Sequence, residues 1–553
     1  MSGSKHIDLI CLAAVLLTLL LTVLFINGEA LGIAVIADGD AGDGQFTAND
    51  LDGDWDRAGA AKITLTGGGA DISGSGAYVY GGDVHIARAG KYILFGELSD
   101  GSVIVDADKN DKIWLLFDGV SLNCPDGAAV LIEQAGKVFI TLAAGTENSV
   151  SSGAEYSAGA IAAGIDAAIY SRDDLTINGS GSLSVSAEYK HGIVCNDDLV
   201  ITGGNISITA AGDGLHANDS ARITGAELTI NAGDDGITVS NDEETGYVYI
   251  ASGSISIPSC YEGIEAVDIT IAGGTLDIVP TDDGINANGR GAGSVIRISG
   301  GEISIINETG RDADGLDSNG DIFISGGKLL ISVSSSGGNC AIDYGSENGG
   351  VCEISGGTVV AAGSSTMAEG FDSASGQCFI MRSTPTAPAG TALSLRNQAG
   401  KELVSEAIPC SFSSVVISTP ELEMGETCTL SIDGREEEVI VDNSAGSGGF
   451  AVAGMFGGGR GQSDRNTFGE APQPFDRQED GMPGGSMPED FGGGRWNGMT
   501  PDGSKGGLED RDLAQNAPQA ETPGANLEFA PGLIVSVAVL CLGLAFALFF
   551  KRR

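Results

Sequence analysis

Five times in the middle of this chain a carboxylate stands directly before a glycine: Asp213-Gly214, Asp235-Gly236, Glu262-Gly263, Asp283-Gly284 and Asp314-Gly315. Asp234 and Asp282 add a second acid before two of these pairs, and Asp312 lies close to a third. Two positions after the glycine stand Glu265 and Asp317, with His216, Thr238 and Asn286 at the equivalent places. Carboxylates brought within a few ångströms repel one another unless a cation bridges them. Ligands that are all oxygen favour a hard cation, most naturally Ca2+. The spacing therefore predicts calcium held by Asp213, Asp234, Asp235, Glu262, Glu265, Asp282, Asp283, Asp312, Asp314 and Asp317. The plainer alternative is that each Asp-Gly pair only makes a turn, since both residues are common turn formers. A second acidic run, Asp50-Leu51-Asp52-Gly53-Asp54-Trp55-Asp56, has the spacing of a short calcium loop. It lacks the downstream bidentate Glu of an EF-hand, and a solvated acidic lead-in is its alternative.

Whether the acids meet depends on the elements that carry them. Adding His191-Gly192 to the series, the glycines are separated by 22, 22, 27, 21 and 31 residues, so the basic unit is 21 or 22 residues and two units carry insertions. Each unit opens with Gly and an aliphatic residue. A short strand follows, such as Leu199-Val200-Ile201-Thr202, and then an alternating one, such as Asn205-Ile206-Ser207-Ile208-Thr209. No 3.6-residue pattern fits this region. One unit cannot bury its own apolar face, whereas stacked units share a continuous core. Stacking places Ile193, Leu215, Ile237, Ile264, Ile285 and Leu316 in one inward column. Cys195, Ala217, Val239, Ala266, Ala287 and Ser318 form a second. This is the pattern of a parallel β-helix, whose rungs lie about 4.8 Å apart. An antiparallel β-propeller, the rival, has a period about twice as long. The stretches 241–247, 289–294 and 308–312 are expected to protrude as loops.

Composition bounds the rest. Lys and Arg number 28 and Asp and Glu 75 in 553 residues, a net charge of −47. Such a polyanion repels nucleic acid phosphates, so nucleic acid is excluded as a partner. Residues 10–26 are apolar behind Lys5 and read as a signal peptide or N-terminal anchor, within a segment 1–30. Residues 532–550 are apolar and precede Lys551-Arg552-Arg553, as expected of a transmembrane helix (527–550) with a cytoplasmic basic end (551–553). The bulk of the chain then lies outside the cell membrane. Between these segments the expected order is an acidic lead-in (31–60), an N-terminal β region or cap (61–165), the repeat domain (166–383) and a C-terminal β cap (384–445). A Gly/Pro-rich disordered linker (446–526) completes it. Export permits disulfides. Cys340 with Cys352 and Cys410 with Cys428 are candidate pairs, connectivity being open from sequence. Cys195 reads as a small buried hydrophobe. No Cys/His spacing resembles a zinc site, and there are only four histidines.

The run Ala168-Ile169-Tyr170-Ser171-Arg172-Asp173-Asp174-Leu175-Thr176-Ile177-Asn178-Gly179-Ser180-Gly181 resembles the bacterial carbohydrate-binding domain-containing β-helix family. So do the Asp-Gly-Ile units, Phe46-Thr47 with Asp50-Leu51, and Phe412-Ser413-Ser414-Val415-Val416-Ile417-Ser418. The resemblance covers roughly residues 46–440. It implies a right-handed parallel β-helix similar to pectate lyases, bound Ca2+, and binding of acidic plant polysaccharide such as polygalacturonate, and of cellulose. Three functions follow as expectations. The first is a calcium-dependent glycan-binding module, in which Ca2+ bridges protein carboxylates to uronates. Its aromatic platforms for neutral sugars are few: Tyr170, Tyr189, Tyr247, Tyr249, Tyr261 and Tyr344. The second is a polysaccharide lyase, which needs a base beside the uronate. Arg290 and Arg311 are the best choices for that role among Arg172, Lys190, Arg222, Arg290, Arg297, Arg311 and Lys328. The third is a structural or adhesive surface stalk.

Overall fold

The computed structural model describes residues 44–443, apart from 242–244, 290–292, 309–312, 337 and 367. The described residues fall within one compact unit spanning 28–453. Both apolar terminal segments and the 446–526 stretch lie outside the described residues. Among the described residues no helix is long and apolar enough to cross a membrane.

Short strands alternate with tight corners because each strand has only a few inward apolar positions before a glycine or polar pair breaks it. In Asn205–Ala210 and Thr275–Pro280 every second residue is buried, the period-two signature of one face turned to a core. Each rung contributes three strands. The first ladder is built from short segments including Ala167–Ser171, His191–Cys195, Leu215–Ala217, Ile237–Val239, Ile264–Ala266, Ile285–Ala287, Leu316–Ser318 and Ile342–Tyr344, within a 12-stranded sheet. The second ladder includes Leu175–Gly179, Asp198–Ile201, Ser220–Ile223, Tyr247–Ile250, Asp268–Ile271 and Val295–Ile298. The third includes Ser182–Ala187, Asn205–Ala210, Ala226–Ala232, Gly253–Cys260, Thr275–Pro280 and Glu302–Asn307. Within each ladder successive strands pair in parallel, giving a β-helix-like coil.

The register matches the columns expected from the repeat. Ile193, Leu215, Ile237, Ile264, Ile285 and Leu316 pair in sequence and are fully buried. Cys195 pairs with Ala217, and Ala266, Ala287 and Ser318 continue that column. The loop-bearing rungs resume in register, Ser220 opposite Tyr247 and Asp268 opposite Val295. The glycine after each acid has a steric reason. A Cβ on Gly214 would stand 2.7 Å from the carbonyl oxygen of Gly236, and one on Gly236 2.6 Å from that of Gly263. Only glycine lets consecutive rungs nest this closely, so its place is set by backbone stacking rather than by an ion.

The coil is closed at its end. Phe412–Ser418 pairs antiparallel with both Cys352–Gly363 and Phe379–Ala387. A four-stranded antiparallel sheet follows, in the order Glu402–Ile408, Thr391–Arg396, Thr427–Ile432, Arg435–Ile440, with its own core. Caps of this kind stop a stack from offering an open edge.

The acidic stretch after residue 44 is an ordered clasp on the second ladder, not a calcium loop. Thr47 caps the one-turn helix Ala48–Leu51 in a capping box with Asp50. The Asp50 carboxylate is buried, pairs with Lys137 at 2.8 Å and accepts from Thr176 at 2.6 Å. Trp55 donates through Nε1 to Thr141 at 3.0 Å. Asp52, Asp54 and Asp56 remain exposed.

Neither expected disulfide forms. All eight cysteines among the described residues are free. Cys352 lies in the second ladder opposite Ile322, whereas Cys340 precedes the first ladder, its carbonyl accepting from Gly315. Cys410 packs with its thiol 3.2 Å from the Ser332 carbonyl, and Cys428 belongs to the C-terminal sheet. Closeness in sequence does not bring these thiols onto one face of the coil.

Candidate functional site

The acid-glycine residues form one edge of the first ladder. Backbone amides and carbonyls zip them together: Gly214 donates to the Asp235 carbonyl, Gly236 to that of Glu262, Gly263 to that of Asp283 and Gly284 to that of Asp314. The side chains form a second zip. Oδ1 of Asp213 accepts from the amide of Asp235 at 3.2 Å, and Oδ1 of Asp235 from the amide of Glu262 at 3.1 Å. Oδ1 of Asp283 accepts from the amide of Asp314 at 2.7 Å, and Oδ1 of Asp314 from the amide of Cys340. Each of these carboxylates thus has one oxygen engaged by the next rung. This gives the column a structural role in addition to any ionic one, through charge-assisted bonds to the backbone.

Alongside runs the outward column His216, Thr238, Glu265, Asn286, Asp317 and Asp343, in register along the ladder. The two columns meet. Asn286 donates to Glu262 at 3.0 Å, Thr238 donates to Glu265 at 2.8 Å, and Asn288 also bonds Glu265. Asp283, Asp314 and Asp317 each present a ligand atom within 4.8 Å of the other two, and so do Asp213, Asp234 and Asp235. Asp235 and Glu265 approach within hydrogen-bonding reach, as do Asp283 and Asp317.

Crowding acids in a half-dry edge penalises their charged forms. Burial, then the charge of Glu265, pushes Asp235 up to about 8. Burial, then Glu265 and Asp235, pushes Glu262 up to about 9. Burial drives Asp283 up to about 8 despite the amide of Asp314, and burial with Asp343 takes Asp317 to about 6. Asp213 departs from this pattern. Burial works to raise it, but the imidazoles of His191 and His216 outweigh that and hold its carboxyl below the ordinary range. No Lys or Arg of the described residues forms an ion pair with Asp235, Glu262, Asp283 or Asp317.

Of the remaining expected ligands, Asp234 is exposed, and Asp282 is half-buried and bonds the Tyr261 hydroxyl. Asp312, Arg290 and Arg311 lie outside the described residues. The cations described in the repeat are ion-paired, Arg172 with Glu133, Lys190 with Asp166, Arg222 with Asp198, Arg297 with Asp268 and Lys328 with Glu302. Among the aromatic candidates, Tyr170 is buried, Tyr189 stacks on Tyr156, Tyr249 lies against Phe46, Tyr247 bonds Gln45 and Tyr344 packs on the core. Tyr261 alone of the six is largely exposed, at 48%, and it stands beside the acidic edge. Sequence reading missed Tyr78 and Tyr80, exposed on the N-terminal hairpin around His85. It also missed the last rung of the edge, Cys340-Ala341-Ile342-Asp343, because Ala341 replaces the signature glycine.

A parallel coil carrying a polar edge defines the class as a β-helix-like module. The family model described as "Carbohydrate-binding domain-containing protein" matches residues 80–338. A protein of the same description from Acetivibrio thermocellus is 39% identical over 129 residues, which are 23% of this chain and 45% of that protein. The chain therefore spans less than half the length of the curated relative it matches. A solved structure described as the polysaccharide lyase-like protein from C. thermocellum, a gadolinium derivative, is 33% identical. The match covers 46% of this chain and 93% of that one, with a TM-score of 0.38.

Proposed function

We propose that this protein binds acidic extracellular polysaccharide through calcium held along the acid-glycine edge. In this reading the coil is right-handed, is exported, and is tethered to the cell membrane by residues 532–550. The observation that carries it is the run of Asp235, Glu262, Asp283 and Asp317, packed together in a half-dry edge that strongly disfavours their charge. The donor set fits calcium: all oxygen, from several carboxylates, with neutral Asn286 and Thr238 among them. Asp283, Asp314 and Asp317 would hold one ion and Asp213, Asp234 and Asp235 another. Calcium takes six to eight oxygens, so three carboxylates leave positions for uronate oxygens. A chain of charge −47 repels a polyuronate unless a cation intervenes. Tyr261 offers an apolar face to a sugar ring bound beside the edge.

The test is retention of the full chain on immobilised polygalacturonate and on cellulose, with calcium and with chelator. Calcium-dependent retention on polygalacturonate is expected, and retention unaffected by chelator defeats the reading. Sustained growth of unsaturated-product absorbance in the same mixture would make the protein a lyase. Absence of binding to any glycan would leave the surface-stalk role.

A further inference from the structure

At one end the acidic edge changes its chemistry. The rung that opens with His191 places an imidazole where later rungs have Asp or Glu, and the next rung places His216 in the outward column. The two rings lie 5.1 Å apart, on either side of Asp213. Oδ2 of Asp213 is 3.0 Å from Nδ1 of His191 and 2.8 Å from Nδ1 of His216. The three donor atoms lie within 4.8 Å of one another. His191 and Asp213 are buried, while His216 is partly open to solvent.

His191 is held by its neighbours. Its Nδ1 lies 3.0 Å from the backbone amide of Asp213. Nε2 faces the Asp166 carboxylate at 3.6 Å, and Lys190 holds that carboxylate at 2.7 Å. Nδ1 of His191 stands 3.0 Å from a carboxylate oxygen of Asp213, and two ligand atoms at this separation can share a cation. A carboxylate behind the far nitrogen of an imidazole is the outer-shell arrangement of histidine metal ligands. Oδ1 of Asp213, held by the amide of Asp235, fixes the carboxylate in the same way.

We propose that His191, Asp213 and His216 form a site for a borderline divalent transition metal such as Zn2+, which would take Asp213 from the Asp213, Asp234 and Asp235 group and differs in chemistry from the oxygen-only position at Asp283, Asp314 and Asp317. Two imidazoles and one carboxylate suit zinc at about 2.0–2.2 Å per ligand. A tetrahedron of that size has edges of about 3.3 Å, within half an ångström of the 2.8 and 3.0 Å separations seen. The partly exposed side of His216 leaves the fourth position to water. The two histidines are far from zinc-motif spacing in sequence because stacking of rungs, not a local turn, unites them.

This site does not rest on the glycan reading. The test uses the full chain, titrated with Co2+ as a spectroscopic stand-in and then with Zn2+, in millimolar Ca2+. One Co2+ is expected to bind with visible d–d bands of a tetrahedral site, and Zn2+ to displace it. His216→Ala should abolish the bands, while Asp283→Asn, in the oxygen-only edge, should retain them. Asp166→Asn should weaken binding about ten- to a hundredfold by removing the outer partner. If His216→Ala has a disturbed far-UV spectrum, His216→Gln takes its place, keeping a polar contact to Asp213. Absence of Co2+ bands in the parent protein, or equal binding by the His216 variants, overturns the site. Loss of calcium-dependent glycan retention with Co2+ binding intact would overturn only the glycan reading.

Discussion

In chelator, the stability of this protein should fall as the pH rises. The cause is the run of carboxyls whose folded-state values lie above their unfolded ones. For Asp283, the rise from 3.8 to about 8 sets a ceiling of about 6 kcal/mol at about 1.4 kcal/mol per unit. A raised carboxyl favours its neutral form in the fold. Its contribution is therefore fully present below pH 3.8 and is lost as pH climbs through about 8. Asp317 titrates first, near 6, and Asp235 and Glu262 follow near 8 and 9. Neighbouring acids share protons, so the contributions do not sum, and a loss of about 3–6 kcal/mol between pH 5 and 9 is expected. At about 2 °C per kcal/mol, the melting temperature in chelator should drop by roughly 6–12 °C. Asp50 and Asp213 act in the opposite sense. Their lowered values give stability that is present above pH 3.8 and disappears in stronger acid, so the chelated protein should be most stable near pH 4. Calcium at a thousandfold its dissociation constant adds about 4 kcal/mol and should flatten the alkaline decline. Differential scanning calorimetry in chelator and in calcium reads both curves. Coincident curves, or a melting temperature that rises with pH in chelator, would refute the reasoning.

Other consequences follow from particular contacts. Lys137→Met strands the buried Asp50 carboxylate and should cost about 3–5 kcal/mol, read as a lower urea midpoint that Asp50→Asn partly restores. An unchanged midpoint would show that the clasp carries no stability. Gly236→Ala forces a Cβ to within 2.6 Å of the Gly263 carbonyl and should lower stability by about 3 kcal/mol or more in the same assay. Tyr261→Ala should leave the melting temperature unchanged, because the ring is 48% exposed, yet weaken polygalacturonate retention by about 1 kcal/mol, roughly fivefold. Equal retention would remove Tyr261 from the glycan surface. Alkylation under denaturing, non-reducing conditions should label all eight cysteines of the described residues. A protected pair detected by mass spectrometry would contradict the free thiols.

The repeat was legible because stacking copies one instruction along the chain. The columns headed by Ile193 and Cys195 could be written from the 21–22-residue spacing alone, and the strand register matches them. The same regularity put Asp213, Asp235, Glu262, Asp283 and Asp314 on one edge, and their backbones are zipped together there. Where the pattern broke, reading failed. Ala341 in place of glycine hid the Asp343 rung, and the lead-in acids resembled a metal loop although Asp50 is the buried partner of Lys137.

By itself, then, the sequence determined the strand class, the period, the inward columns and the acidic edge, since each depends only on spacing repeated rung after rung. The tertiary structure alone decided three things. It decided which thiols stay apart, since neighbours in sequence can lie on different faces of a coil. It decided that one oxygen of Asp213, Asp235, Asp283 and Asp314 serves the amide of the following rung. It also brought His191 and His216 to either side of Asp213. These are contacts between rungs, set by the hydrogen-bonded stacking of backbones, and no local run of residues encodes them.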